Sequence, residues 1–340
     1  MKPVLHRSSY FLCLLCLLSL FSGCDRRELT YYLESEIELY VDWSHSGLDR
    51  EEEDYGATAI FYPQNEGEPK VILMGNRRRE TIRLPEGRYN VLLFNRSFTD
   101  FGSLAFRGET YEKFEAYARR VETRIDEVSR TSTRVIVSSP EKLAAAAFEG
   151  FEVTEDMLGN YSDVAVGRNV VDTDDADAFT LRLLPEALTQ EIHVQIHVKG
   201  LNNVRNMTCT LTDVSESVIL STGESSGTTV SQQFSLSDAT FTDGSPFDGV
   251  MTGVFNTFGF DVDAPRQLAL KALLVDGMTV VEESFDVTAR QLADENGTIT
   301  IYIEVTASPI PDVKPEGGSD SGFDVEVGEW GKEEDVDINT

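Results

Sequence analysis

Few residues in this chain have the chemistry of a nucleophile, a base or a metal ligand. Among its four cysteines and four histidines, Cys209 alternates in phase with Met207 and Leu211, a pattern that predicts a buried residue of a β-strand. A nucleophilic thiol would need a partner base, and the sequence locates none. We therefore predict that Cys209 packs in a core.

His193 and His197 have the spacing of a two-histidine zinc motif, which requires a helix. The segment Glu191–Lys199 alternates apolar and polar residues instead, so it predicts a strand with both histidines on the outer face. Four residues of a strand span about 13 Å, too far for two imidazoles to bind one ion. No spacing selects a catalytic serine, histidine and aspartate, and we predict no catalytic residue, no cofactor and no enzymatic activity.

Two acidic runs, 51–54 and 172–177, could chelate a cation. The second has the spacing of part of a calcium loop, but the glycine and the closing glutamate of the EF-hand pattern are missing. A solvated loop and an acidic linker are the favoured interpretations, and we predict no metal site. Arg77-Arg78-Arg79 is likewise expected in a solvated turn.

The amino-terminal stretch of the chain determines where we expect the protein to reside. A basic start precedes the apolar run Tyr10–Phe21, which is too short for a permanent membrane helix and has the length of a secretory leader. It ends in Leu-Phe-Ser-Gly-Cys24, which resembles a bacterial lipobox, although Phe21 stands where leucine is commoner. We predict that residues 1–23 are removed and that Cys24 carries lipid, which would be the contact with the membrane; an ordinary signal peptide is the alternative.

Charge is distributed unevenly along the 340 residues, whose net charge is −30. Residues 24–150 hold 18 basic and 24 acidic residues, whereas residues 151–340 hold 9 and 35. Such a field repels nucleic acid and anionic lipid, so neither is an expected partner.

Short alternating segments separated by turns predict an all-β fold. In residues 24–178 they include Glu36–Trp43, and we expect a hairpin around Pro85-Glu86-Gly87. Tyr111, Phe114, Tyr117 and Ala118 are spaced as on a helix, so a short helical insertion with a core-facing aromatic stripe is predicted. One or two further helical turns are expected over 141–147.

A second β-domain is predicted over residues 179–308. It contains the histidine strand and two turn signals, Asp276-Gly277 and Asn296-Gly297. Residues 309–340 form an acidic tail in which Phe323, Val325 and Val327 alternate with acids before Trp330. We predict that this apolar segment pairs as a strand, either on its own second domain or on another subunit; a mobile tail is the alternative.

Several phrases of the sequence resemble uncharacterised Bacteroides-type lipoproteins related to fimbrillins and fimbrial anchor proteins. They are Cys24–Leu29, Asp42-Trp43, Phe106-Arg107-Gly108, Val198–Asn203 and Gly322–Val327. The resemblance implies two tandem transthyretin-like, Greek-key β-sandwich domains and a lipid-anchored component of a fimbrium-like assembly at the outer membrane or cell surface. A surface glycan- or ligand-binding lipoprotein is the alternative. Stalk subunits of this kind are cut after an arginine; Arg50 lies in a predicted loop, with no basis for predicting cleavage there.

The lipobox interpretation predicts the behaviour of a Cys24→Ala variant. Without the thiol no acyl chains can be attached, and at roughly 0.8 kcal/mol per buried methylene those chains supply the membrane affinity. We expect the variant to lose palmitate labelling and to leave the membrane fraction. A variant that still labels and still sediments with membranes would contradict the assignment.

Overall fold

The computed structural model describes residues 33–49, 54–121, 135–161, 179–293 and 299–316. These residues form 21 β-strands and no α-helix, which confirms the all-β prediction. The strands of the first half are β1 (Glu34–Val41), β2 (Ala57–Pro63), β3 (Lys70–Met74), β4 (Arg79–Pro85), β5 (Gly87–Asn95), β6 (Leu104–Arg107), β7 (Glu115–Ala118), β8 (Ile136–Ser138) and β9 (Ala144–Val153). The remainder are β10 (Thr180–Leu183), β11 (Glu186–Ala187), β12 (Gln190–Val198), β13 (Val204–Ser215), β14 (Ser217–Ile219), β15 (Thr229–Leu236), β16 (Asp238–Phe241), β17 (Gly249–Thr257), β18 (Arg266–Leu274), β19 (Val280–Val287), β20 (Arg290–Ala293) and β21 (Ile299–Thr306).

Five sheets result. In order of neighbouring strands they are sheet I, β10-β1-β4; sheet II, β11-β9-β5-β2-β3; sheet III, β14-β7-β6; sheet IV, β19-β18-β13-β15-β8; and sheet V, β16-β17-β12-β21-β20. Sheets I and II pack face to face and form the first sheet pair, with Ile37, Leu39 and Val41 of β1 in their shared core. This confirms the alternation expected for β1, because its glutamates lie on the other face.

The central strands β2 and β5 of sheet II are buried on both faces. Phe61 and Leu93 face sheet I, whereas Ile60 and Phe94, their neighbours in sequence, belong to a second core. That second core includes sheet III and continues into sheets IV and V. Because successive side chains of a strand point to opposite faces, β2 and β5 join the two cores.

The helical insertion predicted around residues 111–120 is wrong. Only Tyr111–Lys113 forms a 3₁₀ turn, and β7 follows. From Phe114 onward the inward residues are Phe114, Ala116 and Ala118, which is a period of two. The prediction that the stripe belongs to a core is confirmed for Tyr111 and Phe114, which are buried.

Two other local predictions are also wrong. Residues 141–147 contain no helix; Ala144–Ala147 begin β9, which pairs with β5, so sheet pairing overrides the helix propensity of the alanines. The turn Pro85-Glu86-Gly87 does not close a hairpin, because β4 pairs with β1 in sheet I and β5 belongs to sheet II. It is a crossing from one sheet to the other.

Sheets IV and V form the second sheet pair. Rings of Phe234 and Phe255 stack across it with centroids 4.0 Å apart. Cys209 lies on β13 and is fully buried, as predicted. The Asp276-Gly277 turn joins β18 to β19 as expected, with Gly277 at φ +71° and the Asp276 carboxylate accepting the backbone N–H of Thr279 at 2.8 Å. Asn296-Gly297 lies outside the described residues.

The two sheet pairs exchange strands across the predicted domain boundary at residues 178 and 179. β10 and β11 follow that boundary but pair with β1 and β9. In the other direction, β8 pairs with β15. The finer description, two tandem transthyretin-like sandwich domains with this boundary, stays a prediction.

A fragment of residues 179–308 tests the independence of the second sheet pair. It keeps sheet V and most of sheet IV, so we expect a β-type circular dichroism spectrum. It lacks β8 and the buried Ile310, and it leaves β10 and β11 without partners. We therefore expect it to melt more than about 4 °C below the intact chain, a loss above 1 kcal/mol. A random-coil spectrum would contradict an independent second unit.

Candidate functional site

The predicted site residues lie beyond the described part of the chain. Cys24 precedes it, and Phe323, Val325, Val327 and Trp330 follow it; Arg50 falls in a gap between described ranges. The lipid and strand-pairing roles therefore stay predictions, and none is made for Arg50. The structure does place the residues where the chain enters and leaves, which are Leu33 and Glu316.

The chain enters at one end of the first sheet pair. Leu33 is 73% exposed and precedes Glu34, which pairs with Pro85 and accepts the backbone N–H of Gly159 at 2.9 Å. We call this end, formed by Leu33, the Pro85 turn and the Gly87 end of β5, the entry pole. The opposite end of β5 lies beside the second sheet pair. There the side-chain amide of Asn95 donates to the backbone carbonyl of Lys142 at 3.0 Å.

The chain leaves the described region at the far end of the second sheet pair. Glu316 donates its backbone N–H to the Val275 carbonyl at 3.0 Å, and its carboxylate lies 2.8 Å from the Arg205 guanidinium. We call this end, formed by Arg205, Val275, the Gly277 turn and Glu316, the exit pole. β5 and β12 each contribute nine residues between the two poles, and each is about 30 Å long at 3.3 Å per residue.

A short segment, Ser139–Leu143, ties the two sheet pairs together, and we call it the junction segment. Ser139 exchanges two hydrogen bonds with the backbone of Asn256 on β17, at 3.1 and 3.0 Å. Lys142 contacts Asp49 at 2.9 Å and Glu191 of β12 at 3.2 Å. The junction segment therefore binds both sheet pairs through side chains as well as through the backbone.

Glu141, the one carboxylate of the junction segment, accepts several hydrogen bonds. It accepts the backbone N–H of Gly102 at 2.6 Å, that of Ser103 at 3.0 Å, and the Ser103 hydroxyl. Burial raises the pKa of Glu141, but these donors outweigh burial and hold the pKa below its usual value. Glu141 is thus a charged clamp on the loop that leads into sheet III.

The histidines of β12 are on its outer face, and each has its own carboxylate partner. His193 Nε2 lies 2.9 Å from Glu191, and His197 Nε2 lies 2.9 Å from Glu304. Burial raises the pKa of the Cys209 thiol to about 12, so the thiolate needed for nucleophilic chemistry does not form at neutral pH. No group of three or more metal-ligating side chains occurs in the ranges that the structure describes, and within them no helix has the length and apolarity to cross a membrane.

Sequence reasoning missed the arginine and tyrosine pairs on the outer face of sheet I. The Tyr40 ring lies 4.9 Å from the Arg79 guanidinium and 5.4 Å from that of Arg182. The predicted solvated turn at Arg77–Arg79 is also wrong for Arg77, which is buried 4.6 Å from the centre of the Trp43 ring. The spacing of arginines in sequence gave no signal, because these stacks form between different strands.

Some edge strands expose apolar side chains. β3 ends sheet II, and its Val71 and Leu73 are 49% and 63% exposed. β19 ends sheet IV and carries Glu282, Glu283 and Asp286. An exposed apolar edge can accept an added strand from another chain, whereas acidic side chains disfavour an acidic partner.

Comparison with known proteins gives one family and one curated relative. Residues 23–235 match the family described as domain of unknown function DUF5119. Over 109 residues the chain is 37% identical to the "Putative fimbrium anchoring subunit Fim4B" of Bacteroides ovatus, an alignment that covers 32% of this chain. The chain thus matches only 31% of the length of that relative.

Solved structures also resemble this fold. The crystal structure of a "putative adhesin" from Bacteroides ovatus superposes with a TM-score of 0.54 at 20% identity, covering 78% of this chain and 87% of that one. The fimbrial anchor protein Mfa2 from Porphyromonas gingivalis gives a TM-score of 0.39 at 10% identity, covering 79% and 97%. The likeness to the Bacteroides ovatus structure shows that the two chains share a fold, and it shows nothing about function.

The Glu141 clamp predicts a pH-dependent loss of stability in Glu141→Gln. Because the folded-state pKa lies below the unfolded value, the carboxylate stabilises the fold above pH 4.5, and this contribution disappears as the pH falls through the folded-state pKa. At pH 7 we expect the variant to lose roughly 1–3 kcal/mol of unfolding free energy. The difference should shrink in denaturant titrations below pH 4, whereas the exposed control Glu86→Gln should track the native chain. A constant difference at every pH would contradict the charge assignment.

Proposed function

This chain belongs to the DUF5119 family, and from that premise we propose that it is a structural or adhesive protein of a fimbrium at the cell surface. The observation that carries the proposal is the 37% identity over 109 residues to a fimbrium anchoring subunit. We also propose that the chain folds as two tandem transthyretin-like β-sandwich domains.

The positions of Leu33 and Glu316, the first and last described residues, suit an anchored protein. Lipid on Cys24 would be nine residues before Leu33 at the entry pole, and nine extended residues reach about 30 Å at most. In this arrangement the first sheet pair lies near the outer membrane, and the exit pole points away from it. The tail after Glu316 would then begin on the side that faces other fimbrial subunits.

The side-chain chemistry is consistent with a non-enzymatic role. The β12 histidines are paired with Glu191 and Glu304 on an open sheet face, and the buried Cys209 thiol is held protonated. We therefore assign no catalytic residue.

We propose that the tail residues Phe323, Val325 and Val327, followed by Trp330, pair with another subunit. β19, the edge beside the exit pole, is acidic, and Asp324 and Glu326 of the tail would lie against like charges there. The β3 edge exposes Val71 and Leu73, and it carries Lys70, whose ammonium group lies 3.9 Å from Glu34 of the same chain. The six residues 317–322 reach about 20 Å, less than the 30 Å of β12, so β3 of the same chain is out of reach.

Cells that carry the intact chain, no chain, or a chain ending at Glu316 test both parts of the proposal. That truncation keeps the buried Ile310 and the Glu316 contact with Arg205. We expect fibres visible by electron microscopy on cells with the intact chain, and fibres lost or shed without it. The truncated protein should reach the surface, measured by protease shaving of intact cells, and melt like the intact protein but fail to retain fibres.

Other outcomes separate the two parts. Unchanged fibres on cells without the chain would contradict the fimbrial function. A truncated protein that melts lower would indicate pairing within one chain, and one that retains fibres would contradict any role of the tail. Adding glutamates to the acceptor edge, as Val71→Glu with Leu73→Glu, should reproduce the truncation if β3 is the acceptor.

A further inference from the structure

The outer face of sheet V carries a row of side chains across four neighbouring strands. His193 of β12 pairs with Val254 of β17 on one side and with Tyr302 of β21 on the other. Arg290 of β20 pairs with Tyr302 at the end of the row. In the next row, Leu292 pairs with Thr300. We call this surface, centred on His193 and Tyr302, the ring face.

The centre of the ring face is aromatic and accessible. The His193 and Tyr302 rings lie with centroids 5.2 Å apart and an interplanar angle of 35°. Val254 and Leu292 on either side are 53% and 58% exposed. Large exposed apolar side chains gathered on one face indicate a binding surface more strongly than the same residues scattered singly.

Two carboxylates flank the rings, and each is held by two partners. Glu191 contacts His193 at 2.9 Å and Lys142 at 3.2 Å. Glu304 contacts His197 at 2.9 Å and Arg290 at 2.5 Å, and these donors hold the pKa of Glu304 below its usual value. A carboxylate offers about four acceptor positions, so each one keeps capacity for a ligand hydroxyl.

We propose that the ring face binds a neutral polysaccharide, with sugar rings stacked on Tyr302 and His193 and sugar hydroxyls donated to Glu191 and Glu304. This site would add ligand binding to the proposed fimbrial function. Glu191 lies two residues before the ring row and Glu304 two residues after it, so the carboxylates are about 13 Å apart along the strands. An extended chain of sugar units spans that distance, whereas a single sugar ring does not.

Charge disfavours one alternative ligand, a polyanion. Lys142 is shared between Asp49 at 2.9 Å and Glu191 at 3.2 Å, and Arg290 pairs with Glu304, so these groups carry one net negative charge. On a chain of net charge −30 such a face repels polyanions. A ligand rich in hydroxyls and without negative charge fits an aromatic centre flanked by carboxylates that accept hydrogen bonds.

Affinity electrophoresis of the chain from residue 24 tests this inference. The gels contain dextran, mannan or galactan as neutral probes, or polygalacturonate as the charged probe. We expect at least one neutral polysaccharide to retard the protein, and Tyr302→Ala to weaken that retardation at least tenfold. Glu304→Gln should weaken it as well, since the amide no longer presents two acceptor oxygens. The matched control Tyr40→Ala removes a half-buried tyrosine from the outer face of sheet I and should bind like the native chain.

Each alternative result overturns the inference. Retardation by none of the neutral probes, or by polygalacturonate alone, would exclude the proposed ligand class. Equal binding by native protein and Tyr302→Ala would exclude the ring face, and equal loss in Tyr40→Ala would place binding elsewhere. If Tyr302→Ala does not fold, the exposed Val254→Ser and Glu304→Gln variants provide the same test. Fibre retention by the binding-deficient variants is expected to stay normal, which separates this site from the fimbrial function.

Discussion

Burial of β2 and β5, the central strands of sheet II, on both faces is the constraint on which the rest of this structure depends. β2 and β5 alternate between two cores, so that Phe61 and Ile60, adjacent in sequence, stabilise different parts of the molecule. A half-buried sheet could shift or separate from its neighbour at the cost of one interface. Here any displacement of β5 would open both cores at once, so the first sheet pair and the second are coupled by packing.

The junction segment adds directional contacts to that packing. The hydrogen bonds of Ser139 to Asn256 and of Glu141 to the loop before β6 are specific in geometry, whereas apolar contacts are not. Together with the exchange of β8, β10 and β11 between the sheet pairs, these bonds oppose hinge motion. Such stiffness suits a lipid-anchored protein that retains a fibre at the cell surface, which is the role we propose.

Opposite surfaces of the molecule differ in chemistry as well as in position. Sheet I presents arginines stacked with tyrosines, and β19 presents acids. The ring face of sheet V has an aromatic centre, and the carboxylates that flank it are ion-paired. An acidic chain of this kind can therefore offer separate surfaces for a subunit and for a neutral ligand, because the choice of partner at each one depends on the charges nearby and not on the net charge.

The sequence by itself determined those features that depend on short-range pattern. The alternation in β1 and β12 specified strands, their inward faces and the outward position of both histidines, and the isolated Cys209 was identified as a core residue. The leader and the family phrases pointed to a surface protein of the fimbrial kind. The tertiary structure decided whatever depended on partners distant in sequence. Tyr111–Ala118 fits a helix nearly as well as a strand over so few residues, and only packing against sheet II selects β7. The same holds for β4 and β5, which join different sheets, and for the ring face, whose row of side chains exists only once four strands are in register.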